Sequence, residues 1–379
     1  MRTALAGGKP DRVPIAITAD HDFFCKAAGR PMWEFEYGDN PTRAAIQRDA
    51  YLRFPDNDYI LCWGGRRPEA LGSQRIVTEE GRPYLESIES GERSPIRLRK
   101  TAAEWTDGLG EEEYGTTSQS GYERPVESEA DIEALLGPVS TVDALLEKGQ
   151  CEPMAELRRD LGERAYLAVS TGANFYEAMQ MMGGFEPAMV ALLDNPGLFR
   201  CAMEHLARRD LPWLAAAARA GVDGVFLQAF PEGADMISPS SWREVALPVH
   251  RMLIDAAHEH GMQVLFWFLG DCIPLLRDLA DLGIDGLVLE QSRRAYSSDP
   301  ARVRQEVGTA FCVYGWPWEM DLIRDNREGI TREVETQIRA AGTDGGFIMG
   351  TPYMTSEVQL EAVDHLCREV LRVSREVGY

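Results

Sequence analysis

The 379-residue chain predicts an α/β fold, a closed (β/α)₈ TIM barrel with an inserted hairpin and loop region between its early strands. Three observations predict it. A helix closes and a strand opens through a small-residue junction at Ala220-Gly221-Val222-Asp223-Gly224, again at Leu282-Gly283-Ile284-Asp285-Gly286, and again at Ala341-Gly342-Thr343-Asp344-Gly345. These junctions recur about every sixty residues, the pitch of two strand–helix units. No Gly-x-Gly-x-x-Gly follows a first strand, which disfavours an open, doubly wound sheet.

Residues 13–18 and 59–63 read as the first two strands, and 166–170 as the third. Between the second and third lies a polar stretch, residues 64–150, in which 75–85 reads as a β-hairpin and 127–136 as a short helix. That stretch is too polar to hold a core of its own, so the expectation is one domain over 1–379 with the insertion packed over or beside the barrel mouth. The later strands are 225–230, 263–269, 287–290, 311–314 and 347–349, each following a helix. Glycine past the last apolar helical residue is a stop signal, and the short apolar run after it suits a strand buried on both faces. Ser238-Pro239-Ser240-Ser241-Trp242 supplies a capping serine with proline at the first helical position.

A formal net charge of −22 excludes nucleic acid and anionic membranes as natural partners, because phosphate contacts need clustered Lys and Arg. No segment reaches the ~18 apolar residues that span a bilayer. The seven cysteines are odd in number, scattered, and never spaced as Cys-x-x-Cys. They read as free thiols in a reducing cytoplasm rather than a disulfide framework or a structural zinc site.

Barrel chemistry gathers at the C-terminal ends of the strands. Those ends carry Asp20, His21 and Asp22; Trp63; Asn174; Gln228 and Phe230; Trp267 and Asp271; Glu290 and Gln291; Tyr314 and Trp316; and Tyr353. Such an aromatic mouth with few cations suits a modest, partly apolar molecule. His21, flanked by two acids, reads as a general base or metal ligand, or else as a loop histidine capping a helix. Asp271 follows an apolar strand, where burial raises a carboxyl pKa, but it also stands where a cap for the next helix belongs. Glu290 has few structural reasons to end a strand. Gln228 reads as a substrate-orienting group and Trp267 as a pocket wall or barrel filler, while Trp316 and Trp318 line a pocket or an interface. Met179, Met181 and Met182 read as helix core. A metal held by His21, Asp20 or Asp22 and Glu290 requires a fold that brings them together, and no metal is assigned.

From about residue 160 the chain resembles the uroporphyrinogen decarboxylase (URO-D) superfamily, in its methyltransferase-like branch. The resemblance rests on Thr171-Gly172 to Gly183-Gly184, Asp194-Asn195-Pro196, Ala220-Gly221-Val222-Asp223, Leu282-Gly283-Ile284-Asp285, Ser238-Pro239 to Leu247-Pro248, and Pro10-Asp11-Arg12-Val13-Pro14. It implies a corrinoid (cobalamin) protein as partner. Zinc members of that branch end a strand in His-x-Cys-Gly and carry a second Cys after the last strand. This chain has Trp267-Phe268-Leu269-Gly270 and Gly350-Thr351-Pro352-Tyr353 there, so the usual zinc site is absent. The tetrapyrrole decarboxylases carry Arg-Gln-Ala-Gly-Arg, for which the nearest match is Lys26-Ala27-Ala28-Gly29-Arg30. Their Asp after the second strand has no counterpart in Leu61-Cys62-Trp63-Gly64-Gly65, and Gly350-Thr351-Pro352 replaces their Gly-His-Gly.

The expectation is therefore a methyltransferase taking a methyl group from a small methyl-ether-type donor to cobalt on a separate corrinoid protein. Glu290, Asp271 and His21 are its candidate acids, and Trp63, Asn174, Gln228, Trp267, Tyr314, Trp316, Tyr353 and Arg30 its binding residues. The alternatives are a decarboxylase of a smaller acid gripped by Arg30 and Lys26, and a non-catalytic binding relative. A homodimer is common in the superfamily, and no stretch marks an interface.

Overall fold

The computed structural model describes residues 1–80, 82–96, 124–290, 292 and 296–379. Gln291 and positions 97–123 of the expected insertion lie outside the described residues. Strands β1 (Ile15–Ala16), β2 (Tyr59–Cys62), β6 (Tyr166–Gly172), β7 (Gly224–Ala229), β8 (Gln263–Phe268), β9 (Gly286–Val288), β10 (Cys312–Gly315) and β11 (Phe347–Gly350) form one eight-stranded sheet. Every pairing in it is parallel, in the order β1-β11-β10-β9-β8-β7-β6-β2, with helices between successive strands outside. The (β/α)₈ barrel is the observed fold.

The seam between β1 and β2 is closed by side chains. Asp58 donates its backbone N–H to the Ile15 carbonyl at 2.9 Å, and its Oδ2 accepts the Ile15 N–H at 2.9 Å. Asn57 Oδ1 accepts the Ile17 N–H at 3.0 Å. Arg12 holds the Asp58 carboxylate with both guanidinium arms, at 2.7 and 2.9 Å. Two aspartates of the junctions repeat the device. Asp223 exchanges the same pair of bonds with Leu167, both at 2.8 Å, and Asp285 does so with Val264 at 3.1 and 2.8 Å. Arg158 pairs with Asp223, and His258 with Asp285 at 2.9 Å. These aspartates therefore tie each strand start to its neighbour at the N-terminal face, where barrel residues serve stability.

The lumen is a packed core. Tyr59, Tyr166, Phe226, Leu265, Tyr314 and Ile348 fill it, and Ala4 and Leu5 of the first helix pack against them from below. Room for the tyrosines comes from two glycines. A Cβ on Gly224 would lie 2.1 Å from the Tyr166 hydroxyl oxygen, and one on Gly350 2.0 Å from that of Tyr314.

The expected hairpin is present as β3 (Gln74–Glu79) paired antiparallel to β4 (Arg82–Ser87), and a third strand, β5 (Arg93–Pro95), extends it. Arg75 and Arg93 both grip the Glu86 carboxylate, so an ionic clasp supplies what this sheet lacks in apolar burial. Helices Glu129–Leu136 and Val142–Glu147 pack against the long helix Pro196–Arg219. All seven cysteines are unpaired thiols. Among the described residues no helix is long and apolar enough to cross a membrane.

Candidate active site at the barrel mouth

Helix His21–Ala28 begins directly after β1, and Asp20 caps it by accepting the His21 N–H at 2.6 Å. The same loop is sewn to the one after β11: Asp20 N–H donates to the Met354 carbonyl at 2.8 Å, and Asp22 Oδ2 accepts the Ser356 N–H at 2.9 Å. The His21 ring is fixed on several sides. Its Nδ1 bonds Asp20, and its Nε2 is 4.0 Å from Glu36. Its plane stacks on Phe35 at 5.4 Å and meets the edge of Trp63 at 5.3 Å. Burial alone pushes the imidazole pKa down. The Asp20 hydrogen bond and the charges of Asp20, Asp22 and Glu36 outweigh it, leaving the pKa above the ordinary value. Beside it, Gln47 anchors the Trp63 backbone N–H at 2.7 Å, and the indole N–H is buried with no partner among the described residues. Arg43 lies over Phe35 at 4.2 Å, and burial together with neighbouring Arg66 lowers its pKa to about 10.

Across the mouth runs a row of rings. Tyr176 meets Phe230 at 5.5 Å, Phe230 meets Trp267 at 5.9 Å, and Trp267 stacks on Tyr353 at 5.8 Å with planes 17° apart. Trp267 stands on β8 and Tyr353 follows β11, so this last contact reaches over the lumen. Burial, then the charges of Asp20 and Asp22, raise the Tyr353 pKa, so the phenol keeps its proton. Gln228 donates to Ser170 Oγ at 2.8 Å. Tyr314 sits lower: fully buried in the lumen, it donates to the Ala16 carbonyl at 2.7 Å.

The other expected residues lie elsewhere. A cavity of about 600 Å³ opens beside the mouth, lined by Glu290, Ser298, Trp316, Trp318, Asp321 and Arg332 among others. Its lining includes none of His21, Trp63, Trp267 or Tyr353, so Glu290 stands apart from them, while Trp316 lines this cavity and also packs with Trp267 and Tyr353 against the lumen core. Burial, then Glu357 and Glu290, raise the pKa of Glu319 near this cavity. Asp271 Oδ1 accepts the Ile273 N–H at 3.1 Å, a turn bond just ahead of the short helix Ile273–Leu275, whose N-cap is Cys272. Arg30 is paired with Glu34, and Lys26 donates to the carbonyls of Ser356 and Val358, both at 2.8 Å. Among the described residues, His21, its neighbouring acids and Glu290 do not converge as a metal-ligand set.

Asp210 is the site residue that sequence reasoning missed. The turn after β6 places Gly172 and Ala173 consecutively in the left-handed region, at φ 89° and 61°. It delivers Asn174, which is 3% exposed and whose amide, once turned so that its nitrogen faces the surrounding acceptors, donates to Asp210 Oδ2 at 3.2 Å and the Gly172 carbonyl at 3.0 Å. Burial pushes the Asp210 carboxyl up to about 7, against hydrogen bonds from Thr171, Asn174 and the Gly172 N–H. A signal was present: Met203, Ala207, Leu214 and Ala217 are buried, and an acid at 210 falls on that stripe.

The uroporphyrinogen decarboxylase family model matches residues 111–372. The chain belongs to this family. A uroporphyrinogen decarboxylase from Syntrophotalea carbinolica is 29% identical over 155 residues, 39% of this chain and 43% of that relative. The match thus spans less than half of the relative's length. Among solved structures, a methyltransferase from Methanosarcina mazei superposes with a TM-score of 0.68 at 15% identity, covering 97% of this chain and 96% of that one. That likeness shows a shared fold. In this member of the uroporphyrinogen decarboxylase family, an indole and a proton-holding phenol occupy the strand ends where the resemblance would put zinc ligands. They are not a zinc donor set, and no step is derived through zinc.

Proposed function

We propose that this chain is a methyltransferase, cytoplasmic and acting as one domain, that takes a methyl group from a small apolar or aromatic methyl ether and passes it to a corrinoid on a separate protein. The observation that carries this reading is His21, bonded to Asp20 with its pKa raised, at a mouth walled by Trp63, Trp267 and Tyr353. An ether oxygen leaves badly as an anion, so a proton delivered as the carbon–oxygen bond breaks lowers the barrier. The corrinoid supplies the nucleophile that accepts the methyl group. Asp20 occupies Nδ1, which leaves Nε2–H as the proton to be given to the departing oxygen. The buried Trp63 N–H is a second donor for the same oxygen. Phe230, Trp267 and Tyr353 hold an apolar donor and exclude water, and their uncharged rings let a flat macrocycle seat without stripping water from ions. Seven unpaired thiols support the cytoplasmic location.

The test is an anaerobic spectral assay with reduced cobalamin, or a corrinoid protein, against a panel of methyl ethers, thioethers and amines. Growth of the methylcobalamin spectrum with methyl ethers is expected, and His21→Gln lowers the rate about 100-fold, the usual worth of a general acid. A flat trace with every donor, with both corrinoid forms, overturns the reading. Full activity in the His21 variant removes the histidine from it.

A second reading, decarboxylation of a small acid, draws on the S. carbinolica relative and on the crowded cations Arg43 and Arg66, whose repulsion a carboxylate would relieve. Arg30 and Lys26 are engaged elsewhere and do not support it. Carbon dioxide release from an aryl acid, with no methyl transfer, would favour this second reading.

A further inference from the structure

On the outside of the barrel, helix Glu129–Leu136 lies along helix Pro196–Arg219 and is held at both ends. At its C-terminal end Arg209 donates to the Leu136 carbonyl at 2.6 Å and the Gly137 carbonyl at 3.1 Å. Between the ends, Ile132 is fully buried. At its N-terminal end Glu129 Oε1 stands 3.0 Å from His205 Nε2. Cys201 lies one helical turn before His205, so thiol and imidazole project from the same face of the long helix. One ligand atom from each of Glu129, Cys201 and His205 lies within 4.8 Å of the others. These three are the only such group among the described residues.

We propose that Glu129, Cys201 and His205 form a surface site for a divalent cation of the zinc class. The donor set argues for that class. A thiolate, an imidazole and a carboxylate together select zinc over magnesium or calcium, which take oxygen alone. The geometry is close to what zinc needs. Metal–ligand bonds of ~2.0–2.3 Å set ligand atoms roughly 3.4 Å apart on a tetrahedron, a contraction that side-chain torsions can supply. Without metal, the Glu129 carboxylate accepts hydrogen bonds from both His205 and Cys201. A cation would replace those shared protons, with the Cys201 thiol releasing its own. Arg208, the nearby cation, is directed at Glu204 at 3.4 Å. Three protein ligands leave the fourth position to solvent. The site would staple helix Glu129–Leu136, which precedes β6, to the barrel's outer layer.

The test uses the full chain, stripped of metal by a chelator, titrated with Co²⁺ and then Zn²⁺. Expected are a near-ultraviolet thiolate-to-cobalt band at one equivalent, its displacement by zinc, and its loss in Cys201→Ser. His205→Gln and the exposed-site variant Glu129→Gln, which leave the barrel core untouched, weaken zinc binding about tenfold or more. The absence of a thiolate band, or its persistence in Cys201→Ser, overturns the proposal, as does zinc affinity unchanged in both Glu129→Gln and His205→Gln.

Discussion

Replacing Asp210 by Asn tests whether burial holds a proton on this carboxyl. In the folded protein its pKa is about 7, against 3.8 for the free side chain. A raised carboxyl pKa means that the proton is bound more tightly in the folded state than in the unfolded one. Its stabilising effect is complete below pH ~4 and is lost as pH climbs through about 7. A tenfold change in proton affinity is worth ~1.4 kcal/mol, so the full span is at most about 4 kcal/mol, and residual solvent contact reduces it. Asn174 would then face a carboxylate in a partly buried site, while Asp210→Asn keeps a neutral, isosteric group there at every pH. The assay is urea denaturation of wild type and variant at pH 5 and pH 8.5. Asp210→Asn should gain on wild type by about 1–3 kcal/mol between these two conditions, because pH 5 already lies above the unfolded pKa. Taking the difference cancels groups that titrate in both proteins, His21 among them. Parallel stabilities at the two pH values would show that Asp210 ionises freely and would remove burial as the explanation.

Asp223→Ala should cost about 3 kcal/mol in urea denaturation, because it removes the ion-pair partner of a partly buried Arg158 and the acceptor of the Leu167 N–H together. Asp285→Ala should cost less, about 1–2 kcal/mol, since its partner His258 is 40% exposed; equal or reversed costs would refute the strand-clamp reading. Gly350→Ala should destabilise by about 2–3 kcal/mol, as its Cβ would sit 2.0 Å from the Tyr314 hydroxyl and 2.4 Å from the Ala16 carbonyl. Gly283→Ala meets nothing within 4 Å and should show only the cost of its φ of 77°, about 1 kcal/mol, so similar melting temperatures in the two variants would contradict a packed lumen.

Residues 220–224 and 282–286 announce the fold because a helix stop and a buried strand are local events, written in adjacent residues. What Asp223 and Asp285 do is not local. Their carboxylates bond strands β6 and β8, and only closure of the barrel brings those backbones within reach. The mouth divides in the same way. The positions of His21, Trp63, Trp267 and Tyr353 at the mouth can be read because each lies near the end of a strand or in the loop that follows one. Tyr314 also ends one, but alternation turns it into the lumen, two residues short of Trp316 on the same face. Asp210 follows β6 by dozens of residues, and only the pitch of its helix returns it to Thr171 and Asn174. Likewise, the spacing of Cys201 and His205 is visible in the chain, while Glu129 joins them through the packing of two helices.

The acids beside His21 do structural and electrostatic work at once. Asp20 caps a helix, bonds Met354 through its backbone and holds the imidazole. Asp22 accepts from Ser356 and never touches the ring, so its effect on His21 is carried by charge alone. The same two residues that join the β1 loop to the β11 loop, Asp20 by its backbone and Asp22 by its carboxylate, thereby raise the pKa of both His21 and Tyr353. A zinc ion would supply positive charge at such a mouth from its own ligands. On the proposed function that charge would be a proton on His21, and the residues that raise its pKa, Asp20 and Asp22, are also the ones that tie the β1 loop to the β11 loop. On this reading, loosening the contact between residues 20–22 and 354–356 would both open the rim and lower the His21 pKa, so shape and acidity at this mouth cannot be tuned independently.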